Sequence, residues 1–248
     1  MGKIEIRHDT SKRVSVVLKR SSDARKEYEI LSSLDSPRIV KPSGLDADGL
    51  LLPEYVEKAA DGIAGYCSEK EAWRFIRDVS EGLAYLHGKG LVHHDIKPSN
   101  ILIGPDGYVI SDFDNEGDET SYAFTPPEWS ADRKNMTSAS DIWSLGASVF
   151  NLLNGYYIFS GKGGTVQKRE TLIPRLSYRY STEMSDVIFR CLSFEPADRP
   201  SAEELLRISR DMAGKKKVRP SGKNPLACTD KYEHVHEALW PEQMKDSD

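Results

Sequence analysis

The first part of the chain alternates between apolar and polar positions in a way that predicts strands around one helix. Residues 3–7 and 14–19 alternate with a period of two on either side of a polar turn, which indicates a β-hairpin. Apolar residues then recur at helical spacing over 23–34, and a short strand pair is predicted to follow and to end in residues 50–55. The pattern therefore predicts a small β-rich unit that contains one helix.

The rest of the chain is dominated by helical periodicity. The clearest signal is 69–88, where apolar residues recur every 3.6 positions. The stretch 140–154 is apolar on most sides, which is typical of a helix buried in a large core. Two more helices are predicted over 182–193 and 201–212, and the second begins with the capping-box pattern at Ser201. This part of the chain is therefore predicted to form a larger helical unit.

A polar loop and a short hairpin lie between the first two of these helices. Residues 101–103 and 108–110 are predicted to be strands, joined by a turn at 104–107 that contains two glycines and a proline. The polar residues 93–100 come directly before this hairpin. Because loops held by rigid elements often carry function, residues 93–100 are the first candidate for a functional segment.

Composition and charge exclude several classes of protein. The 248 residues, 38% of them apolar, suffice for one core divided over two lobes. A net charge of -5 argues against a nucleic-acid-binding protein, which usually has a basic surplus. The three cysteines are odd in number and widely spaced, so they predict neither a disulfide framework nor a zinc site. There is no apolar run of membrane-spanning length and no signal pattern, so we expect a cytoplasmic protein without membrane contact.

The candidate loop reads His-His-Asp-Ile-Lys-Pro-Ser-Asn over 93–100. It resembles the catalytic loop of protein kinases, H-R-D-L-K-P-x-N, at every position except His94 and an isoleucine in place of leucine. In that chemistry, the aspartate accepts the proton of the substrate hydroxyl, the lysine neutralises the transferred phosphoryl group and the asparagine binds magnesium. The resemblance therefore implies that Asp95 and Lys97 are catalytic and that Asn100 is a metal ligand. Polar residues that merely hold a loop together are the alternative.

Downstream motifs argue against that alternative. Asp112-Phe113-Asp114 resembles the metal-binding D-F-G of the same family, with an aspartate in place of glycine. This resemblance implies that Asp112 is a second metal ligand. Three further stretches resemble the A-P-E, D-x-W-S-x-G and D-R-P motifs of kinases: 126–128, 141–146 and 198–200. This set is typical of eukaryotic-like serine/threonine protein kinases.

The downstream motifs also imply contacts within the scaffold. Glu128 is expected to form a buried ion pair with Arg199, and Asp141 is expected to hold the backbone of the catalytic loop. Ser121 aligns with the family's residue that contacts the catalytic aspartate and lysine. Small-molecule kinases of the same fold generally lack the A-P-E, D-x-W-S-x-G and D-R-P set, so a protein substrate is favoured.

In the N-terminal part, Val16-Val17-Leu18-Lys19 resembles the V-A-I-K strand of kinases, and Glu27 on the following helix is placed to pair with Lys19. The resemblance also implies further contacts with ATP on both sides of the adenine and at the hinge. Together with Lys19 and Glu27, the nucleotide-binding residues are expected to be Ile4, Val17, Glu54, Val56 and Leu102.

The resemblance spans about residues 2–212 and implies an α+β, two-lobed kinase fold. We expect a reduced N-lobe with hinge over 1–56, a helical C-lobe over 57–213 and a polar tail over 214–248 that is docking or partly disordered. Kinases usually have a glycine-rich loop before the V-A-I-K strand, and in this chain only Gly2 aligns with it, at its last glycine. The first strand and the rest of that loop are therefore expected to be missing. Either a natural minimal kinase or a truncated sequence would explain this, and weaker nucleotide binding is expected.

These features predict a kinase that uses ATP and Mg²⁺ to phosphorylate serine or threonine hydroxyls of proteins. The alternative is a pseudokinase that acts as a binding or scaffold module, because the glycine-rich loop is missing. A small-molecule kinase is a third reading. The expected partner is a protein substrate, not nucleic acid or membrane. The reduced N-lobe and the tail leave room for a regulatory partner that completes the lobe or binds the tail.

Overall fold

The computed structural model describes seven stretches of the chain, all within the compact unit formed by residues 1–214: 4–9, 14–20, 23–53, 59–113, 119–130, 136–174 and 176–214. The expected hinge residues Glu54 and Val56 lie outside the described residues, as do Asp114, Gly2 and the tail from residue 215 onward.

The described residues of the smaller lobe form an antiparallel sheet and one helix. Its described strands run in the order β1-β2-β4-β3. The elements are β1 (Ile4–Asp9), β2 (Val14–Lys19), α1 (Ala24–Ser33), β3 (Gly44–Leu45) and β4 (Leu50–Pro53). Because β2 lies between β1 and β4, Lys19 at its end pairs with Ile4 on one side and Leu50 on the other. The predicted hairpin and helix of this lobe are confirmed.

The larger lobe is mainly helical, and its described residues include a short hairpin. Its elements are α2 (Glu69–Gly88), β5 (Ile101–Gly104), β6 (Gly107–Ile110), α3 (Ser138–Asn154), α4 (Thr182–Cys191) and α5 (Ala202–Gly214). Helix α3 runs through the core, with Trp143 and Phe150 fully buried. Among the described residues, no helix is both long enough and apolar enough to cross a membrane.

Capping residues mark the starts of α3 and α5. Helix α3 begins two residues before the predicted start because Thr137 and Ser140 form a reciprocal capping box, in which a serine replaces the usual glutamate. At the start of α5, the backbone amide of Glu204 donates to Ser201 Oγ at 3.2 Å, as predicted. The Glu204 carboxylate instead binds Arg190, so the expected box is only half formed.

The segment after α1 is joined to the larger lobe through the backbone of β6. Ile110 N donates to Arg38 O at 2.8 Å, and Val40 N donates to Ile110 O at 2.9 Å. Helix α2 comes close enough that a Cβ on Gly82 would lie 3.1 Å from Arg38 O. This joint therefore fixes the end of α1 relative to the strand that leads to Asp112.

A buried carboxylate strengthens the same joint. Asp78 on α2 is fully buried, and it accepts hydrogen bonds from Arg77 Nε at 2.8 Å and Tyr108 N at 3.1 Å. Arg38 lies 3.3 Å from Asp78 and also donates to Glu81 at 2.7 Å. The charges of both arginines compensate the cost of burying Asp78.

Replacing Asp78 with alanine is expected to lower the free energy of unfolding by about 3 kcal/mol, because a buried ion pair then loses one partner. The matched change Asp35→Ala removes a carboxylate that is 89% exposed and paired with Lys41, so it should leave stability nearly unchanged. Urea titrations of both variants and the wild type measure the difference. Equal losses in the two variants would contradict the structural role of Asp78.

Candidate active site

Three predicted site residues meet around the carboxylate of Asp95, whose side chain is 12% exposed. Asn100 Nδ2 donates to the main-chain oxygen and to Oδ2 of Asp95, both at 2.9 Å. Lys97 Nζ lies 3.1 Å from the same Oδ2 and donates to Ser121 Oγ at 2.7 Å. The structure therefore brings Asp95, Lys97 and Asn100 together, and the predicted contact of Ser121 with the lysine is confirmed.

His93 stabilises this loop through hydrogen bonds of its ring. Asp95 N donates to His93 Nδ1 at 3.3 Å, so Nε2 must carry the proton of the neutral ring and donate to Ser111 O at 3.1 Å. Burial lowers the pKa of His93, which agrees with a neutral ring despite the nearby carboxylates. The ring also packs edge-on against Phe113, with centroids 4.7 Å apart. His93 thus links the catalytic loop to the Asp112-Phe113 segment.

The backbone of the catalytic loop is held by Asp141 on α3, as predicted. Asp141 Oδ2 accepts from His93 N at 2.9 Å, and Oδ1 accepts from His94 N at 2.8 Å. The residue is 1% exposed. His94 has a φ of 70°, a left-handed conformation that costs on the order of 1 kcal/mol for a side chain of this size. The two hydrogen bonds to Asp141 stabilise that conformation.

The second group of site residues surrounds Lys19. Its Nζ lies 3.0 Å from Glu27 Oε2 and 2.5 Å from Asp112 Oδ1, so one ammonium group serves two carboxylates. Burial raises the pKa of Glu27, and the opposing charge of Lys19 does not fully offset this effect. Phe113 N donates to Glu27 Oε1 at 3.1 Å. The predicted Lys19–Glu27 pair is confirmed, and Lys19 also forms an ion pair with Asp112.

The predicted metal ligands lie at the same end of the β5–β6 hairpin. Ser111 N donates to Asn100 O at 2.9 Å, which places Asn100 beside the residue that precedes Asp112. The Asn100 amide nitrogen is turned toward Asp95, so its oxygen is directed elsewhere. No group of three or more His, Cys, Asp or Glu side chains in the described part of the chain could hold a metal. One carboxylate and one amide oxygen nevertheless fit a Mg²⁺ ion whose other ligands come from substrate phosphates.

Two of the five residues expected to contact ATP at the adenine and the hinge, Val17 and Leu102, have side chains within the described part of the chain. Val17 on β2 and Leu102 on β5 are both partly buried and pack against the core. Ile4 pairs through its backbone with Lys19, but its side chain lies outside the described part, as do Glu54 and Val56. The contact of all five residues with a nucleotide stays a prediction.

The expected ion pair between Glu128 and Arg199 is present and buried. Arg199 donates from Nη1 to Glu128 Oε1 at 2.7 Å and from Nη2 to Oε2 at 2.8 Å. Its three remaining N–H groups donate to the main-chain oxygens of Ala139, Ser193 and Phe194. All five donors of the guanidinium are therefore used.

The charge of Glu128 is stabilised by the groups around it. Burial alone would raise the pKa of Glu128, but hydrogen bonds and charge from Arg199 outweigh it, and a hydrogen bond from Ser140 adds to them, so the pKa is lowered. The Ser140 hydroxyl donates to Glu128 Oε1 at 2.7 Å.

Two contacts near the site were not predicted from the sequence. His87 Nε2 lies 2.8 Å from Asp141 Oδ2 and adds a third partner to that carboxylate. Gln167 accepts from Trp143 Nε1 at 3.0 Å and donates to Leu192 O at 2.8 Å. A histidine in the last turn of a helix and a single glutamine in a loop have many other uses, so neither gives a signal in the sequence.

Comparison with known proteins agrees with this geometry. A family model described as the protein kinase domain matches residues 6–209. The chain is 34% identical over 205 residues to cytokinesis protein sepH of Aspergillus terreus, covering 75% of this chain and 15% of that protein. It is 28% identical over 191 residues to serine/threonine-protein kinase pim-2 of Danio rerio, covering 68% of this chain and 60% of that protein.

A third relative is mitogen-activated protein kinase kinase kinase 3 of Arabidopsis thaliana, which is 28% identical over 204 residues, covering 73% of this chain and 33% of that protein. The chain therefore spans 15% to 60% of the length of these three relatives.

The Glu128–Arg199 pair is expected to make stability depend on pH in the acid range. Because the folded pKa of Glu128 lies below its ordinary 4.5, the stabilisation is complete above that value and is lost as the pH falls through the folded pKa. Glu128→Gln should therefore cost about 3 kcal/mol at pH 7, and less as the pH falls below 4.5.

Urea titrations between pH 3 and pH 7 measure this difference. The matched change Glu195→Gln alters a carboxylate of the exposed pair with Arg169 and should have little effect at any pH. A cost for Glu128→Gln that does not vary with pH would contradict the assignment.

Proposed function

This chain belongs to the protein kinase family, and on that premise we propose that it uses ATP and Mg²⁺ to phosphorylate serine or threonine hydroxyls of proteins. The site residues that such a reaction requires are Asp95, Lys97, Asn100, Lys19 and Asp112. A cytoplasmic location and a regulatory partner for the N-lobe or the tail are further proposals that rest on the sequence.

One observation carries the proposal: the Lys19–Glu27 pair is formed at 3.0 Å while Asp112 is bound to the same lysine. In protein kinases this ion pair and the aspartate of the metal site must both be in place for transfer. The Asp95 cluster is assembled at the same time, since its carboxylate is bound by Asn100. The arrangement therefore supports an enzyme that is ready for transfer.

We propose a separate task for each side chain around Asp95. Asn100 and Lys97 both contact Oδ2, so we assign Oδ1 to accept the proton of the substrate hydroxyl. The hydroxyl oxygen then bonds to the γ-phosphorus of ATP as the bond to the bridging oxygen breaks, and ADP leaves. Lys97, which is 3% exposed, neutralises charge on the transferred group more effectively than a solvated lysine would.

The remaining residues position the nucleotide. Lys19 is held in place by the buried Glu27 and would contact ATP phosphates. When bound, Mg²⁺ would neutralise the phosphates, and Asn100 and Asp112 would hold it. The contact between Lys97 and Ser121 supports serine/threonine specificity, because tyrosine kinases usually lack a lysine at this position in the catalytic loop.

Replacing Asp95 with asparagine is expected to reduce phosphate transfer by about 10² to 10⁴-fold, because a general base is lost. Radiolabel transfer from ATP to a generic protein substrate measures the rate. The matched control Asp186→Asn changes an exposed residue on α4 and should transfer at the wild-type rate. Wild-type transfer no greater than that of Asp95→Asn would contradict the proposal and favour a pseudokinase.

ATP with Mg²⁺ is expected to raise the melting temperature of the wild type, because a ligand that binds only the folded state stabilises it. The increase should become smaller in Lys19→Met and, for its Mg²⁺-dependent part, in Asp112→Asn. Lys41→Met alters an exposed lysine and should keep the full increase. Melting curves with ATP alone and with ATP plus Mg²⁺ separate the two contributions. No increase at millimolar ATP would count against nucleotide binding.

A further inference from the structure

Residues 121–128, called the substrate segment here, connect the two parts of the candidate site. At one end, Ser121 accepts a hydrogen bond from Lys97 beside the catalytic carboxylate. At the other end, Glu128 forms the buried pair with Arg199. Any shift of this segment would move Ser121 relative to Lys97, so whatever holds the segment also affects the catalytic geometry.

A second segment, residues 163–167, packs directly against the substrate segment and is called the supporting segment here. Gly164 N donates to Thr125 O at 2.7 Å. A Cβ on Gly163 would lie 2.1 Å from Tyr122 O and 2.9 Å from Thr125 O. A Cβ on Gly164 would lie 2.5 Å from Pro127 N. Both glycines are therefore required for the backbones to approach this closely.

The supporting segment is anchored in the core at its other end. Gln167 is 7% exposed, and its side-chain amide is bound on both sides by Trp143 of α3 and the main chain of Leu192. Gln167 N also donates to Gly164 O at 2.9 Å, which closes the turn. The supporting segment therefore connects the substrate segment to the buried helix α3.

The chain enters this contact through a strained turn. Phe159 and Ser160 have φ values of 54° and 53°, which are left-handed conformations of non-glycine residues. Each costs on the order of 1 kcal/mol, so such residues persist where the surrounding structure dictates them, and they cluster at functional sites. This strained turn directly precedes the close contact made by Gly163 and Gly164.

Within the substrate segment, internal hydrogen bonds pass this restraint to Ser121. Thr125 Oγ1 donates to Ser121 O at 2.9 Å, and the Ser144 hydroxyl of α3 donates to Phe124 O at 2.7 Å. Thr125 is the residue whose main-chain oxygen binds Gly164. A displacement at Gly163 or Gly164 would therefore reach Ser121 through Thr125.

We propose that the supporting segment is a positioning element for phosphate transfer, and that Gly163 is the residue on which its action depends. Because Gly163 has no side chain, the backbone of Tyr122 and Thr125 can lie directly against it. This close approach fixes the substrate segment in the conformation in which Ser121 accepts the hydrogen bond from Lys97. The catalytic consequence rests on the proposed kinase function, whereas the restraint on residues 121–128 does not.

The test compares Gly163→Ala with Gly161→Ala. Both glycines have positive φ, 56° and 77°, so alanine pays a similar backbone cost at each position. Only at position 163 does the new Cβ meet another backbone, because the nearest atom to a Cβ at 161 is a ring carbon of Tyr157 at 4.0 Å. Any difference between the variants therefore reports the contact with the substrate segment.

Two measurements are expected to separate the variants. In Gly163→Ala, amide hydrogen exchange of residues 119–130 should become faster, and kcat/KM for a protein substrate should fall by about 10 to 100-fold, because small displacements of reacting groups are costly. The KM for ATP should change less than twofold. Gly161→Ala should match the wild type in all three. A purely structural role would change stability without this separation between protein substrate and ATP.

The outcomes distinguish the inference from the proposed function. Equal exchange rates over 119–130 in the two variants would overturn the positioning role, whatever the activity. Absence of transfer in the wild type would overturn the proposed function, while the exchange comparison would still decide whether Gly163 restrains the segment. If Gly163→Ala does not fold, Gln167→Met removes the anchor without a backbone clash. Unchanged exchange and unchanged kcat/KM in Gln167→Met would overturn the proposal.

Discussion

The buried carboxylate of Asp141 is the interaction on which the candidate site depends. It lies on α3, inside the core, and it binds the backbone amides of His93 and His94 together with the ring of His87. A charge buried this deeply is tolerated only when it is fully hydrogen-bonded, so the loop and the helix stabilise each other. The strained backbone at His94 is a consequence of this arrangement, because it brings both amides onto one carboxylate.

Other buried residues of α3 hold the remaining loops of the site by hydrogen bonds in the same way as Asp141. Ser140 binds Glu128, Trp143 binds Gln167 and Ser144 binds the main chain of Phe124. With Asp141, four residues within five positions of one buried helix thus hold the catalytic loop, the substrate segment and the supporting segment. Because the helix is packed on nearly all sides, these loops acquire the rigidity of the core without regular structure of their own.

The residues that could be predicted from the sequence are those that belong to a motif of fixed spacing, and long-range pairs such as Glu128–Arg199 could be predicted only because both partners belong to such motifs. Asp95, Lys97 and Asn100 lie within six positions, and Lys19 and Glu27 lie one element apart, so a linear motif contains them. Arg38 with Asp78 and Trp143 with Gln167 pair over 40 and 24 positions, respectively, and each residue type is common elsewhere. Their function is a property of the pairing, which only the folded chain reveals.

The buried Glu128–Arg199 and Lys19–Glu27 pairs use different cations for a physical reason. Arg199 is a planar fork, and its five donors are all taken by Glu128 and three main-chain oxygens, so the pair has one geometry and suits a fixed scaffold. Lys19 is a point charge on a flexible stem, and it contacts Glu27 and Asp112 at the same time. A compact ammonium group can keep Glu27 while it exchanges its second partner, which a saturated guanidinium cannot do. Lys19 therefore gives the candidate nucleotide site a positive charge that can change partners, whereas Arg199 gives the scaffold a positive charge of fixed geometry.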